Sequence, residues 1–192
     1  DKYLFNINQK VINETEKKYD FYSYGQIIRN EIPEITDFFI LHEGLLATLD
    51  GDLIEKDYDD IQEEKFSKTA KKGFIAIGDK YFVTSLIPPK NKEFKTTFDY
   101  KNKFRANFII TEPLTLNSNS SIEDNLKIIV AAKRVDVIDG YAKSLEIEKF
   151  DLLIDWGYLY FITKPLFYAL DYFFKLLGNY GLAIIAVTIC IR

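Results

Sequence analysis

Residues 73–111 read GFIAIGDKYFVTSLIPPKNKEFKTTFDYKNKFRANFIIT. The stretch contains four short apolar runs, at 74–77, 81–87, 94–100 and 104–111. Gly78-Asp79 and Pro88-Pro89, which favour turns, separate the first three runs. Short runs rich in Phe, Ile, Tyr and Thr are typical of β-strands. The stretch therefore predicts consecutive strands joined by tight turns.

The same pattern extends from the N-terminus to about residue 133. Tyr3, Phe5 and Ile7 alternate with their neighbours, as on a strand with two different faces. Further short apolar runs lie at 26–29, 38–41, 45–49 and 126–132, with turn residues at Asp50-Gly51 and at 117–121. Many strands without amphipathic helices between them predict an antiparallel β-sandwich. We interpret the charge-rich segment 56–72 as a solvated surface excursion.

After Lys133 the apolar spacing becomes helical. Val135, Ile138, Tyr141, Ala142 and Leu145 recur on one helix face. The spacing predicts a surface helix within about residues 135–146 that packs on the sandwich, although a glycine at 140 weakens its second half.

Beyond Asp155 the sequence becomes apolar and aromatic. One helical face collects Leu166, Phe167, Leu170, Phe173, Phe174 and Leu177, and the other carries Lys164, Asp171 and Lys175. Pro165 is acceptable in the first turn of a helix. An aromatic group typical of lipid headgroup depth includes Trp156, Tyr158, Tyr160, Phe167 and Tyr172. We expect an amphipathic helix in the membrane interface, anchored by these five residues; a buried helix of a soluble protein is the alternative.

A second apolar segment follows Gly178-Asn179-Tyr180-Gly181 and ends at Arg192. Glycine and asparagine favour a left-handed helix end, so we expect a bend at 178–181 and a fresh helix after it. The run is about half of the roughly 20 apolar residues that cross a bilayer. It is interpreted as a transmembrane helix cut in mid-span. The missing initial Met indicates a start within a longer protein or after processing.

Charge and composition narrow the possible partners. The formal net charge is −4, of which residues 156–192 contribute +2 and residues 1–155 contribute −6. An acidic region without a clustered basic patch speaks against nucleic acid as a partner of this fragment. The single cysteine, Cys190, permits no intrachain disulfide.

Enzymatic chemistry has little support in these residues. His42 is the only histidine, so a paired-histidine acid–base or metal site is unavailable. His42-Glu43 is interpreted as a polar surface pair. Asp57, Asp59 and Asp60, with Glu63 and Glu64, lack the spacing of a calcium loop and are interpreted as a solvated acidic face. We expect no catalysis, no metal and no cofactor.

The segment DWGYLYFITKPLF at 155–167 resembles the YidC/Oxa/Alb family of membrane protein insertases, and so does GNYG at 178–181 before a run ending in arginine. Looser matches are SYGQ at 23–26 and GFI at 73–75 with KYFVTSLIP at 80–88. The resemblance implies the second part of a galactose-mutarotase-like β-supersandwich at 1–150. A linker and interfacial helix at 151–180 and the start of a transmembrane helix at 181–192 would follow.

The resemblance also implies a function and a place. We expect a membrane insertase and chaperone of the bacterial inner membrane, with residues 1–150 in the periplasm. Its partners would be nascent membrane proteins, the Sec translocon and the lipid bilayer. A membrane-tethered periplasmic module that binds a carbohydrate or a partner protein is the alternative.

Arg192 is the candidate substrate-groove residue. If the helix enters the hydrocarbon near Gly181, a rise of about 1.5 Å per residue puts Arg192 roughly 16 Å deep, where a charge needs a watery groove. Entry nearer Phe173 would instead make Arg192 a cytoplasmic flanking charge. The family resemblance favours the groove.

Overall fold

The computed structural model describes residues 3–32, 42–157 and 159–192. These residues form two compact units, Asp1–Ile154 and Asp155–Arg192, which we call the β-unit and the helical unit. The strands of the β-unit are β1 Leu4–Asn13, β2 Tyr19–Phe21, β3 Tyr24–Arg29, β4 Gly44–Leu49, β5 Asp52–Asp57, β6 Phe66–Ala70, β7 Gly73–Gly78, β8 Phe82–Ile87, β9 Phe94–Tyr100, β10 Phe104–Ile110, β11 Leu114–Leu116 and β12 Ser120–Ala132. Its helices are α1 Tyr58–Glu63, α2 Val135–Leu145 and a short 3-10 helix, Phe150–Leu153.

The strands form antiparallel sheets, as the sequence predicted. A six-stranded sheet has the order β1-β12-β8-β7-β4-β5, and a four-stranded sheet has the order β3-β10-β9-β6. The small strands β11 and β2 pair separately. The main hairpins join strands that follow each other in the chain, which explains why short runs and turn residues predicted them well.

One hydrophobic core fills the space between the two large sheets. Alternate residues of β4, namely Leu45, Ala47 and Leu49, face Phe98 of β9 and Phe108 of β10. All of these side chains are buried. Because strand side chains alternate between faces, Leu46 and Thr48 lie on the opposite face of the six-stranded sheet.

A second core forms on that opposite face. Helix α2 packs Ile138 and Tyr141 there, and the 3-10 helix adds Phe150, whose ring meets that of Phe74 edge-on at 4.9 Å. The predicted helix at 135–146 is thus confirmed in position and in packing. Glu146, in the left-handed conformation, ends it.

Two expectations for the β-unit are wrong, and a third falls outside the described residues. The segment 56–72 is not a solvated excursion, because it contains α1 and β6 and buries Tyr58, Ile61 and Ala70. His42-Glu43 is not a surface pair, since the His42 side chain is only 12% exposed and its Nδ1 lies 3.0 Å from the Asp57 carboxylate. The strand predicted at 38–41 lies outside the described residues.

The helical unit contains α3, Tyr160–Leu177, and α4, Tyr180–Ile191. The expected break between two helices is confirmed, at Gly178-Asn179. Among the helices of the described residues, none is both long enough and apolar enough to cross a membrane.

Candidate functional site

The approach to α3 is a tight turn built on an aspartate and a glycine. The Asp155 carboxylate accepts a hydrogen bond from the backbone N–H of Gly157 at 2.7 Å. Gly157 has a φ of 72°, a conformation that favours glycine. The hydroxyl of Thr163 donates to the carbonyl oxygen of Trp156 at 2.7 Å and ties the turn to the helix. This turn fixes where the Trp156 ring can lie.

Trp156 is the centre of a small cluster at the start of α3. Its ring meets the ring of Phe167 edge-on, with centroids 5.5 Å apart. The Lys164 ammonium lies 5.8 Å from the centroid of the same indole, within cation–π range. Two of the predicted anchors, Trp156 and Phe167, are thus brought together, and Lys164 and Thr163 are partners that the sequence reasoning missed.

The other predicted anchors are placed differently. The ring of Tyr160 lies beside that of Phe161, and the ring of Tyr172 lies beside that of Phe173, so each packs on its sequence neighbour. Both tyrosines are exposed. Tyr158 lies outside the described residues.

No described residue of α3 is buried, although most of its residues are apolar. Of the predicted apolar face, Leu170, Phe173 and Phe174 are half-buried, whereas Leu166, Phe167 and Leu177 are exposed. The polar face carries an ion pair between Lys175 and Asp171 at 2.6 Å. Pro165 lies in the second turn and not the first, so the carbonyl of residue 161 lacks its usual helical donor.

The junction between α3 and α4 is capped from both sides. Gly178, with a φ of 67°, donates its backbone N–H to the carbonyl of Phe174 and ends α3. The Asn179 side chain accepts from the backbone N–H of Leu182 at 3.2 Å and starts α4. The rings of Phe174 and Tyr180 stack across the junction, with centroids 3.9 Å apart.

Helix α4 is apolar around its whole circumference. Ala183 and Val187 are buried, while Leu182, Ile184, Ile185 and Ile189 are exposed, the last by 72%. The hydroxyl of Thr188 donates a hydrogen bond to the carbonyl oxygen of Ile184 at 2.7 Å, so this polar group is satisfied within the helix. Arg192 follows the last turn, is exposed, and has no acidic partner among the residues that the structure describes.

A separate polar cluster lies in the β-unit. Asp79 accepts from the Arg29 guanidinium at 2.6 Å and from the Tyr58 hydroxyl at 3.4 Å. Burial raises the pKa of Tyr58 far above its ordinary value, and the nearby Arg29 opposes that rise. The cluster ties β3 to the β7–β8 connection, so its geometry suits stabilisation of the sandwich.

The profile of the family described as YidC periplasmic domain matches residues 1–169. The chain belongs to this family. Over its full length it is 70% identical to the protein named membrane protein insertase YidC of Pelagibacter ubique (strain HTCC1062). The proteins of the same name from Agrobacterium fabrum and Rickettsia prowazekii are 37% identical over 100% and 39% identical over 99% of the chain.

The chain spans about a third of these YidC proteins, 34%, 33% and 35% of their respective lengths. The family profile covers the entire β-unit and ends within α3. The relatives carry the name of an insertase, which denotes a non-enzymatic role. The resemblance inferred from residues 155–167 and 178–181 is therefore confirmed.

Proposed function

We propose that this chain is part of a membrane protein insertase that helps proteins of the bacterial inner membrane to insert and fold, alone or beside the Sec translocon. The observation that carries the proposal is the 70% identity over the whole chain to a protein named as such an insertase. In this proposal three segments of the chain have different positions relative to the membrane. Residues 1–150 lie in the periplasm, 151–180 form a linker and an interfacial helix, and 181–192 begin a membrane helix.

The unburied apolar surface of α3 supports a position at the lipid interface. Trp156 is held in the turn before the helix, and Tyr172 in its second half is 64% exposed. Transferring one large apolar side chain from water contributes about 1.5–3 kcal/mol. Because several such side chains lie on α3, transfer of this helix from water to a lipid surface is favourable. Trp156, Tyr158, Tyr160, Phe167 and Tyr172 are the anchors in this proposal.

Arg192 is proposed to face the incoming substrate. Helix α4 exposes branched aliphatic side chains that suit hydrocarbon, and it delivers an exposed guanidinium without an acidic partner in the described part of the chain. A guanidinium in a low-dielectric groove attracts a carboxylate far more strongly than it does in bulk water. Arg192 would therefore draw acidic segments of a substrate towards the bilayer.

Catalysis has no part in this proposal. The imidazole of His42, the single histidine, is held against Asp57 and is largely buried. The cavity beside Thr48 gives no support to the alternative of a carbohydrate-binding module, because sugar stacking inside it would require an exposed aromatic face. That cavity has one aromatic residue in its lining, Phe94, which is 1% exposed.

A chimera tests the proposal at full length. This chain would replace the matching third of the Pelagibacter ubique insertase, and insertion of one substrate would be measured with an acidic and with a neutralised translocated segment. We expect the chimera to insert both. Arg192→Ala should reduce insertion of the acidic version severalfold and spare the neutral one, and Arg192→Lys should retain most activity, since attraction needs only a positive charge.

Arg134→Ala is the matched control, because Arg134 is an exposed arginine of the β-unit paired with Asp136. It should leave both substrates unaffected. An inactive chimera would contradict the proposed insertase role. An active chimera in which Arg192→Ala affects both substrates equally, or neither, would contradict only the groove role of Arg192.

A further inference from the structure

A cavity of about 310 Å³ opens at one end of the β-unit. Four connections surround it: the β4–β5 turn, the β6–β7 turn, the β8–β9 connection and the segment that follows α2. Its volume lies at the lower limit of pockets that hold small molecules. All of its lining residues belong to the β-unit.

The floor and the rim of the cavity differ in chemistry. Apolar side chains form the floor, with Ile87 and Ile147 from the second core and Phe94 from the first. The rim carries the long side chains of Lys71 and Lys72. This arrangement suits a ligand with an apolar body and a polar head.

Positive charge remains at the rim after its ion pairs are counted. Glu148 lies 3.8 Å from Lys72, and Glu146 lies 2.7 Å from Lys90. The Lys90 ammonium also lowers the pKa of the Glu146 carboxyl, so Glu146 stays ionised within its pair. The Lys71 ammonium has no acidic partner among the described residues. The head group that this rim favours is an anion.

Hydrogen bonds to a side chain of the β4–β5 turn hold the β6–β7 turn, which carries Lys71 and Lys72. The Asp50 carboxylate accepts hydrogen bonds from the backbone N–H groups of Lys71 and Lys72, at 3.0 Å each. The Lys149 ammonium donates to the carbonyl of Gly51 on the neighbouring turn. With Lys149 and Asp50 included, the charges around the opening still leave one positive charge in excess. The rim is therefore a fixed cationic edge on a unit that is acidic as a whole.

Thr48 carries one of the buried side-chain hydroxyls without a hydrogen-bond partner in the β-unit, as Ser85 and Thr96 also do. It lines the cavity, is 0% exposed, and its side-chain hydroxyl has no hydrogen-bond partner. Its side chain lies on the sheet face that Ile87 and Ile147 also cover. A buried hydroxyl without a partner is costly, and valine would fill the same volume without that cost.

We propose that this cavity binds a small aliphatic carboxylate. Its chain would lie on Ile87 and Ile147, and its two carboxylate oxygens would meet the Lys71 ammonium and the Thr48 hydroxyl. The site is additional to membrane protein insertion and does not depend on it. Gly73 also lines the cavity, and its lack of a side chain lets β7 approach β4 closely there. Its φ is 137°, and a Cβ there would fall 1.7 Å from the carbonyl oxygen of Thr48.

Hexanoate is the probe, and hexanol is its uncharged counterpart. The whole chain would be kept soluble by an amphipathic polymer, since detergent monomers would compete for the cavity. Isoleucine methyl NMR would follow Ile87 and Ile147, with the buried Ile61 of α1 as an internal reference. We expect hexanoate to shift the first two methyl groups and not the third, and to bind more tightly than hexanol.

Two variants separate the charge from the hydroxyl. Lys71→Glu should weaken hexanoate binding about tenfold and leave hexanol unchanged, whereas Lys95→Ala, on the exposed side of β9, should change neither. Thr48→Val should weaken hexanoate binding by about threefold to tenfold and raise the melting temperature of the unliganded chain. Equal binding of both probes, insensitivity to Lys71→Glu, no shift at Ile87 and Ile147, or a lowered melting temperature of Thr48→Val would overturn the proposal.

Discussion

The β-unit and the helical unit differ in how far they bury their phenylalanine and tyrosine side chains. In the β-unit, six phenylalanines are among the largest fully buried side chains: Phe74, Phe94, Phe98, Phe104, Phe108 and Phe150. In the helical unit, the exposed large side chains include Tyr160, Phe161 and Tyr172. An aromatic-rich composition therefore does not indicate one environment. The spacing of the aromatic residues decides whether they meet each other or face outwards.

The spacing explains the difference in physical terms. Phe94 and Phe98 are four positions apart, as are Phe104 and Phe108, and this even spacing points each pair to one face of its strand. Two sheets with such faces can bury each other. Helix α3 has apolar residues over most of its circumference, so packing against α4 covers only part of them. The β-unit thus buries a phenylalanine core between its sheets, whereas no described residue of α3 is buried.

The largest expected effect is in the β-unit core. Phe108→Ala should lower the free energy of unfolding by about 3–5 kcal/mol, because it removes a 0% exposed ring and leaves a cavity between the sheets. Tyr172→Ala in α3 is the matched control and should change that free energy by less than about 0.5 kcal/mol. Urea unfolding followed by far-ultraviolet circular dichroism measures both. Similar losses in the two variants would remove the distinction between the units.

A smaller effect should distinguish the buried tyrosine Tyr58 from exposed ones. Burial raises the folded-state pKa of Tyr58. Above the unfolded-state pKa of about 10, the unfolded chain loses this proton while the folded chain keeps it. The stabilising contribution of the neutral hydroxyl is therefore complete below about pH 10 and declines above it, by up to about 1.4 kcal/mol per pH unit.

Tyr58→Phe isolates this contribution. Near neutral pH the variant should be about 1 kcal/mol less stable than the wild type, because the Tyr58 hydroxyl no longer donates to Asp79. As the pH rises above about 10, the two stability curves should converge, since phenylalanine has no proton to lose. Tyr172→Phe, which changes an exposed side chain, should follow the wild-type curve throughout. A constant difference between Tyr58→Phe and the wild type would show that ionisation of Tyr58 is not linked to folding.

The sequence predicted those parts of the fold in which neighbouring residues act together. Strands joined by short turns, such as β9 and β10, were placed within a residue or two of their observed bounds, as was α2. The segment 56–72 was misinterpreted because its two buried residues in α1, Tyr58 and Ile61, lie among five acidic neighbours. Only the facing sheet, distant in sequence, makes those two positions interior.

In the candidate sites too, contacts between residues distant in sequence could not be predicted. The break at Gly178-Asn179 depends on local backbone preferences, so the residues indicated it, whereas the turn at Asp155–Gly157 was not predicted. The contact of Lys164 with Trp156 could have been suspected from a lysine eight residues after a tryptophan, but the turn between them fixes it. The cavity at Thr48 arises where four connections from distant parts of the chain converge, and no local pattern predicts such a place.

The smallest expected effect concerns the Asn179 cap at the start of α4. Most large side chains of α4 are exposed, so burial within the chain contributes little to its first turn, and the cap from Asn179 becomes important by comparison. Asn179→Ala should cost about 1 kcal/mol locally, which corresponds to about fivefold faster amide hydrogen exchange at Leu182. Asn179→Asp should restore protection, because aspartate is an equally good acceptor and its charge suits a helix N-terminus. Amides of β9 and β10 serve as the internal control and should not change in either variant. Unchanged exchange at Leu182, or faster exchange that spreads to the strands, would mean that contacts with α3 hold this turn and not the cap.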